Sequence, residues 1–245
     1  MANLQGGRDE FPIINLGIAS IGPKEYLRIA ASRLPDLKPK FVVVTLYMGN
    51  DIHQSHPDLQ TLLFFGQVKL LPDPWRFSVE SYLWWAFSRF IKIVANWTQS
   101  DKLCTDMEEG PLLMRVFAFE EMAFAVKQSD YIRKSIDNLA DIVGNIDSIS
   151  WTHGVEPLFV LAPSRLQVDT VFRDMYLSCA GRNPASYNFR QPQQWVKNAL
   201  LTKGVQVLDL LPAFLKARKD TFIMNDTHWN RFGNEVAARE IFQML

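Results

Sequence analysis

The stretch TFIMNDTHWNRFGNEVAAREI, residues 221–241, places Asp226 two residues before His228, followed by Trp229, Asn230 and an amphipathic run. A carboxylate and an imidazole at this spacing suit a general base and the group that orients it. In an extended loop, residues two apart project to the same side, so the pair can meet. The carboxylate would accept one ring N–H, fix the tautomer and stabilise the imidazolium formed as the base works. Two further stretches carry matching chemistry. LYMGNDI, Leu46–Ile52, offers Asn50, whose side-chain amide suits a developing oxyanion, and NLGIASIGP, Asn15–Pro23, offers a backbone N–H at its turn. Losing one such donor costs an acyl-transfer transition state about 2.7–4 kcal/mol. Neutral donors fit a carboxylic ester better than a phosphate, which calls for cations.

Each stretch also has a purely structural explanation. Pro23 can start a helix, Asn50 or Asp51 can cap one, and Gly49 can serve a turn. His228 alone can be a loop histidine with a satisfied ring. The three stretches occurring together, in this order, are harder to explain that way.

The elements that must position these residues read as alternating strands and helices. Short apolar runs ending in small or polar residues predict buried parallel strands at Phe11–Gly17, Lys40–Gly49, Pro157–Ser164 and Val205–Leu210. Helical patterns separate them: PKEYLRIAASRL, YIRKSIDNLADIVGNI and PQQWVKNALLTK, with NEVAAREIFQML closing the chain. This alternation predicts a parallel sheet covered on both faces, with chemistry at the carboxyl ends of its strands. Residues 52–130 interrupt the rhythm and predict a mainly helical insertion. Its two aromatic-rich helices, SVESYLWWAFSRFIKIVANW and PLLMRVFAFEEMAFAVKQ, would pack over the sheet or cap the cleft. An acyl-binding lid or membrane-surface patch is the functional alternative; Arg89 and Lys92 make only a thin basic face.

The chain resembles the SGNH (GDSL-type) hydrolases. NLGIASIG matches the glycine block, GND the asparagine block and DTHWN..G the block holding the acid and histidine; FVLAPSRLQVD and GVQVLDLLPAFL resemble the intervening segments. The resemblance runs from Phe11 to the C-terminus and implies one domain over residues 1–245. It implies a three-layer α/β/α sandwich with a flavodoxin-like parallel sheet, and a serine esterase, acetylesterase or lipase-like activity with no cofactor. By the same resemblance His228 is the base, Asp226 its partner and Asn50 an oxyanion donor. The second oxyanion position, normally glycine, falls on Ser20, with Gly22 as the alternative. The spacing D-x-H departs from the usual D-x-x-H and matches relatives acting on carbohydrate O-acetyl groups.

The family's nucleophilic serine sits in a G-D-S block upstream of the glycine block, and no G-D-S occurs in these 245 residues. Ser20 lies on the oxyanion side and Ser164 follows a different strand, where turn and cap chemistry explains it better. The expectation is therefore a domain that lacks its first strand and its nucleophile. In the order 2-1-3-4-5 that strand lies between Phe11–Gly17 and Lys40–Gly49. Four parallel strands are expected, with a void or irregular pairing where the fifth belongs.

Composition narrows the alternatives. Lys plus Arg and Asp plus Glu are both 26, which argues against nucleic acid as a partner and points to a small-molecule or glycan ester. No apolar run reaches membrane-spanning length, and MANLQGGRDEF lacks the apolar core of a signal peptide. A leader or anchor on an upstream piece would place the protein in the periplasm or at a membrane; without one it would be cytoplasmic. Cys104 and Cys179 are read as buried small hydrophobes. Two rival functions stand beside the esterase. One is a metal-dependent hydrolase built on Asp51, His53, His56 and Asp58, with Asp226 and His228 as further ligands. The other is a non-catalytic domain that binds an acylated glycan or assists a partner. Oligomeric state is not legible.

Overall fold

The computed structural model describes residues 12–18, 21–64, 67–72, 117–118, 120–217, 219–224 and 226–245. Helix α1 (Pro23–Leu37) leads into strand β1 (Phe41–Tyr47) and a short helix α2 (Asp51–Gln54). A hairpin follows, β2 (Leu59–Phe64) and β3 (Gln67–Pro72). After a 3-10 turn at Glu121–Phe124 come α3 (Asp130–Thr152), β4 (Glu156–Ala162), α4 (Arg165–Val168) and α5 (Thr170–Cys179). The chain ends with α6 (Gln191–Leu201), β5 (Val207–Asp209), α7 (Leu211–Lys216) and α8 (Arg231–Phe242).

Strands β1, β4 and β5 form a parallel sheet in the order β1-β4-β5, with Phe41 opposite Glu156 and Phe159 opposite Val207. Side-chain alternation along β4 assigns the layers. Phe159 and Leu161 join the core formed with Leu34 of α1, Leu139 and Val143 of α3, and Val196 of α6. Val160 faces the opposite way, into a second core with Leu210, Phe214 and Phe222 and with Val236 of α8. Helices thus cover both faces, the α/β/α layering that the strand–helix alternation predicts. On β1 this cover is one-sided among the described residues: Leu46 is fully buried, whereas Val43 on the other face is 40% exposed.

Three expectations need correction. The segment read as a strand at Phe11–Gly17 has no regular structure over residues 12–18, and Ile13, Ile14 and Ile18 are exposed. No described residue offers this segment a ladder partner, and an apolar run without one has no reason to stay extended. The sheet of described residues accordingly holds three parallel strands, not four. Within the insertion expected to be mainly helical, residues 59–64 and 67–72 pair as the antiparallel strands β2 and β3. Of the second proposed helix, residues 117–118 and 120–128 are described: Phe117, Ala118 and Glu120 are helical, and the 3-10 turn Glu121–Phe124 follows. The first proposed helix, SVESYLWWAFSRFIKIVANW, lies outside the described residues. Finally, Cys179 is disulfide-bonded, not a free thiol. The sequence's other cysteine, Cys104, lies outside the described residues. Separation along the chain sets no limit on approach in space, and such bonds persist in oxidising compartments. Among the described residues no helix is long and apolar enough to cross a membrane.

Candidate active site

His228 and Asp226 meet in the loop between α7 and α8. His228 Nδ1 lies 2.6 Å from Asp226 Oδ1. The same oxygen accepts the backbone N–H of Thr227 at 2.6 Å and of His228 at 3.2 Å. Partial burial works against the charged carboxylate, but these hydrogen bonds outweigh it and hold Asp226 below the usual carboxylate range. An ionised Asp226 leaves Nδ1 as the donor of that pair, so Nε2 carries the free lone pair. The imidazole is 80% exposed, open to any group that approaches Nε2.

The local sequence explains why the loop holds this shape. Asp226 N donates to Ile223 O, Ile223 N to His228 O, and Asn230 N to Thr221 O, while Phe222 and Trp229 form an isolated bridge. Asn230 then caps α8, its Oδ1 accepting from Gly233 N at 2.9 Å, and its Nδ2 ties back to the carbonyls of Asp220 and Phe222. A tight two-sided loop seated on a capped helix thus presents the dyad.

Asn50 stands at the carboxyl end of β1 as the residue before α2. It occupies the N-cap position without making a side-chain cap, and its Oδ1 is buried with no hydrogen-bond partner among the described residues. Capping, the structural explanation for this asparagine, is not what its side chain does. Asp51 closes the turn instead: its Oδ2 accepts the N–H of Tyr47 at 2.8 Å, and Tyr26 OH donates to it at 3.3 Å. Burial raises Asp51 to about 7, against the pull of those two donors.

Gly49 is needed for close approach. A Cβ there would lie 2.4 Å from the Tyr47 ring and 2.5 Å from Glu120 Oε1. Glu120, only 1% exposed, accepts from Tyr47 OH at 3.0 Å and from Ser164 Oγ at 2.7 Å. Burial raises it to about 7, opposed by the hydroxyls of Ser164 and Tyr47. Sequence reasoning missed this carboxyl, which stands in a stretch read as the second aromatic-rich helix of the insertion. Ser164 is fully buried, accepts from Leu166 N at 3.2 Å and gives its hydroxyl to Glu120, which fits cap chemistry.

Ser20 lies outside the described residues. Of the residues of the metal reading, Asp51 closes the turn, while His56 stacks on Tyr131 with ring centroids 4.1 Å apart and its Nδ1 accepts the N–H of Asp58 at 3.3 Å. Among the described residues no group of three or more His, Cys, Asp or Glu is arranged to hold a metal ion. A cleft of about 640 Å³, lined by residues including Arg173, Tyr187, Phe189 and Arg190, contains neither Asn50 nor the dyad.

A comparison with curated proteins and one with solved structures each returned no match. A comparison with protein families matched residues 126–245 to the family described as SGNH hydrolase-like domain, acetyltransferase AlgX. The matched segment contains Asp226 and His228, while Asn50 and Ser20 precede it. With a parallel sheet between helical layers and an acid–imidazole pair at the start of the last helix, the chain is similar over residues 126–245 to the SGNH hydrolase-like domain family.

Proposed function

We propose that the domain works on carboxylic esters by acyl transfer, as an esterase or a carbohydrate O-acetyl esterase or transferase. His228 is the general base, Asp226 the group that fixes its tautomer, and Asn50 an oxyanion donor. The second donor is the backbone N–H at Ser20, since that of Gly22, the alternative, is given to Glu25 Oε2 at 3.2 Å. The observation that carries the reading is the 2.6 Å contact between His228 Nδ1 and Asp226 Oδ1. It leaves Nε2 as the proton acceptor, the arrangement a serine nucleophile requires. The name of the matched family, an acetyltransferase, supports a small acyl group.

The absence of G-D-S from the 245 residues supports a second reading, in which the domain binds an acylated glycan or assists a partner without turnover. The two separate in one experiment. By itself the 245-residue chain should cleave p-nitrophenyl acetate at the buffer rate, take no fluorophosphonate label and be indifferent to His228→Ala. Fused to a strand carrying G-D-S, it should label, and His228→Ala should then lower kcat by about 10⁶-fold. Stoichiometric labelling of the 245 residues, lost in His228→Ala, would place a nucleophile within them. A labelled fusion indifferent to His228→Ala would remove His228 from the mechanism. An unlabelled fusion that still binds acetylated glycan would favour the accessory reading.

A further inference from the structure

Resting on the dyad reading above, we propose that Arg165 is a positioning residue that fixes the Asp226–His228 loop against the carboxyl end of β4. Its Nη1 donates to the main-chain carbonyl of Asp226 at 3.4 Å, across 61 residues of sequence. The guanidinium is itself held on two other sides. Its Nε lies 3.2 Å from Asp169 Oδ2, and its plane rests over the Phe172 ring with Cζ 3.9 Å from the centroid. Only 8% of the residue is exposed. A long cationic side chain normally loses much rotamer freedom when it binds, but this one is already immobilised by a carboxylate and an aromatic face. It therefore acts as a rigid strut.

The strut's location gives it a role beyond stability. Ser164, the preceding residue, donates to Glu120, whose carboxyl packs against Gly49 beside Asn50. One dipeptide at the end of the middle strand thus reaches toward both halves of the site. Ser164 engages the turn that carries Asn50 through Glu120, and Arg165 engages the loop that carries His228 directly. This link adds a polar tie to the packing of Phe222 and Trp229 on the core that holds Val160 of β4, and so helps to set the separation between oxyanion donor and base. Loop hydrogen bonds internal to residues 221–230 shape the dyad but cannot anchor it to the sheet.

The test reads the imidazole, not turnover. Long-range ¹H–¹⁵N correlation of the ¹⁵N-labelled 245-residue protein, at a pH where His228 is neutral, reports which ring nitrogen carries the proton. The parent should show the Nδ1–H tautomer. Arg165→Gln should lose that preference toward Nε2–H with its thermal midpoint retained, and Arg165→Lys, which can still donate to the carbonyl, should recover part of it. If Arg165→Gln does not fold, Asp169→Asn frees the guanidinium without removing it and should move the tautomer the same way. A parent-like Nδ1–H population in Arg165→Gln, or in Asp169→Asn where that variant carries the test, overturns the proposal. A parent that already favours Nε2–H breaks the dyad reading instead, since Asp226 would not then be orienting the ring.

Discussion

At pH 5 the protein is expected to unfold at a temperature roughly 5–10 °C higher than at pH 8. The cause is the pair of buried carboxyls behind the asparagine turn. Asp51 and Glu120 each rise to about 7 in the fold, from ordinary values of 3.8 and 4.5. A carboxyl raised in this way binds its proton more tightly when folded, so its contribution is fully present near pH 4. That contribution drains away as pH climbs toward 7 and is flat above. His53, fully buried, works in the opposite sense. Burial lowers it to about 4, so its share of stability is present above pH 6.5 and lost on acidification. His56, also lowered by burial, adds to the same side to a smaller extent. Asp147, also raised by burial, adds to the carboxyl side to a smaller extent. Asp51 and Glu120 therefore oppose essentially one imidazole up to pH 6.5 and dominate above it. At about 1.4 kcal/mol per group per pH unit, the net loss between pH 5 and pH 8 is on the order of 3 kcal/mol. Asp226, held low, acts only below the ordinary carboxylate range and does not enter this window. Thermal melts of the parent, Asp51→Asn and Glu120→Gln across this range test the assignment. Each amide should flatten the slope and be no less stable than the parent at pH 8. A midpoint level from pH 5 to 8, or amide variants with the parent's slope, would show that these carboxyls are not the linked groups.

What the sequence made legible and what it hid follow from the range of the interactions involved. Strands β1, β4 and β5 and the long helices announce themselves because hydrophobic period and caps are local properties. The Asp226–His228 pair was equally readable, since residues two apart must share a side. Phe11–Gly17 misled for the opposite reason. Its apolar run carries a local strand signal, but a strand exists only with a ladder partner, and local pattern does not reveal whether one is present. The β2–β3 hairpin was missed although LQTLLF and QVKLLP are short apolar runs flanking a glycine. The aromatic helix-like stretch after it dominated the reading. Glu120 and Arg165 were beyond reach altogether. Their site partners stand 44, 73 and 61 residues away, so nothing near either residue marks it as part of the site.

Replacing Gly233 by alanine is expected to lower stability by about 1–3 kcal/mol, while the same change at Gly144 should raise it by about 0.5–1 kcal/mol. Both glycines lie within helices, in α8 and α3, where alanine is intrinsically the better residue. Space decides the sign. At Gly144 a new Cβ would find its nearest neighbour, the Cβ of Lys203, at 3.8 Å, so the backbone entropy gain comes without a clash. At Gly233 the Cβ would fall 2.2 Å from the main-chain oxygen of Thr221 and 3.0 Å from Trp229 Cβ. Main chain cannot swing aside as a side-chain tip does, so α8 must lift away from the strand-like segment that enters the Asp226–His228 loop. That segment is held by the hydrogen bond from Asn230 N to the same Thr221 oxygen and by the Phe222–Trp229 bridge. Displacing it should therefore also disturb the His228 tautomer, which Gly144→Ala should leave alone. Denaturant midpoints of the two variants measure the first effect and the imidazole ¹⁵N shifts the second. Equal midpoints would mean that the close seat of α8 on Thr221 does not exist in solution. A destabilised Gly233→Ala with an unmoved His228 would mean that the dyad keeps its geometry without support from α8, leaving its own loop hydrogen bonds and Arg165 to hold it.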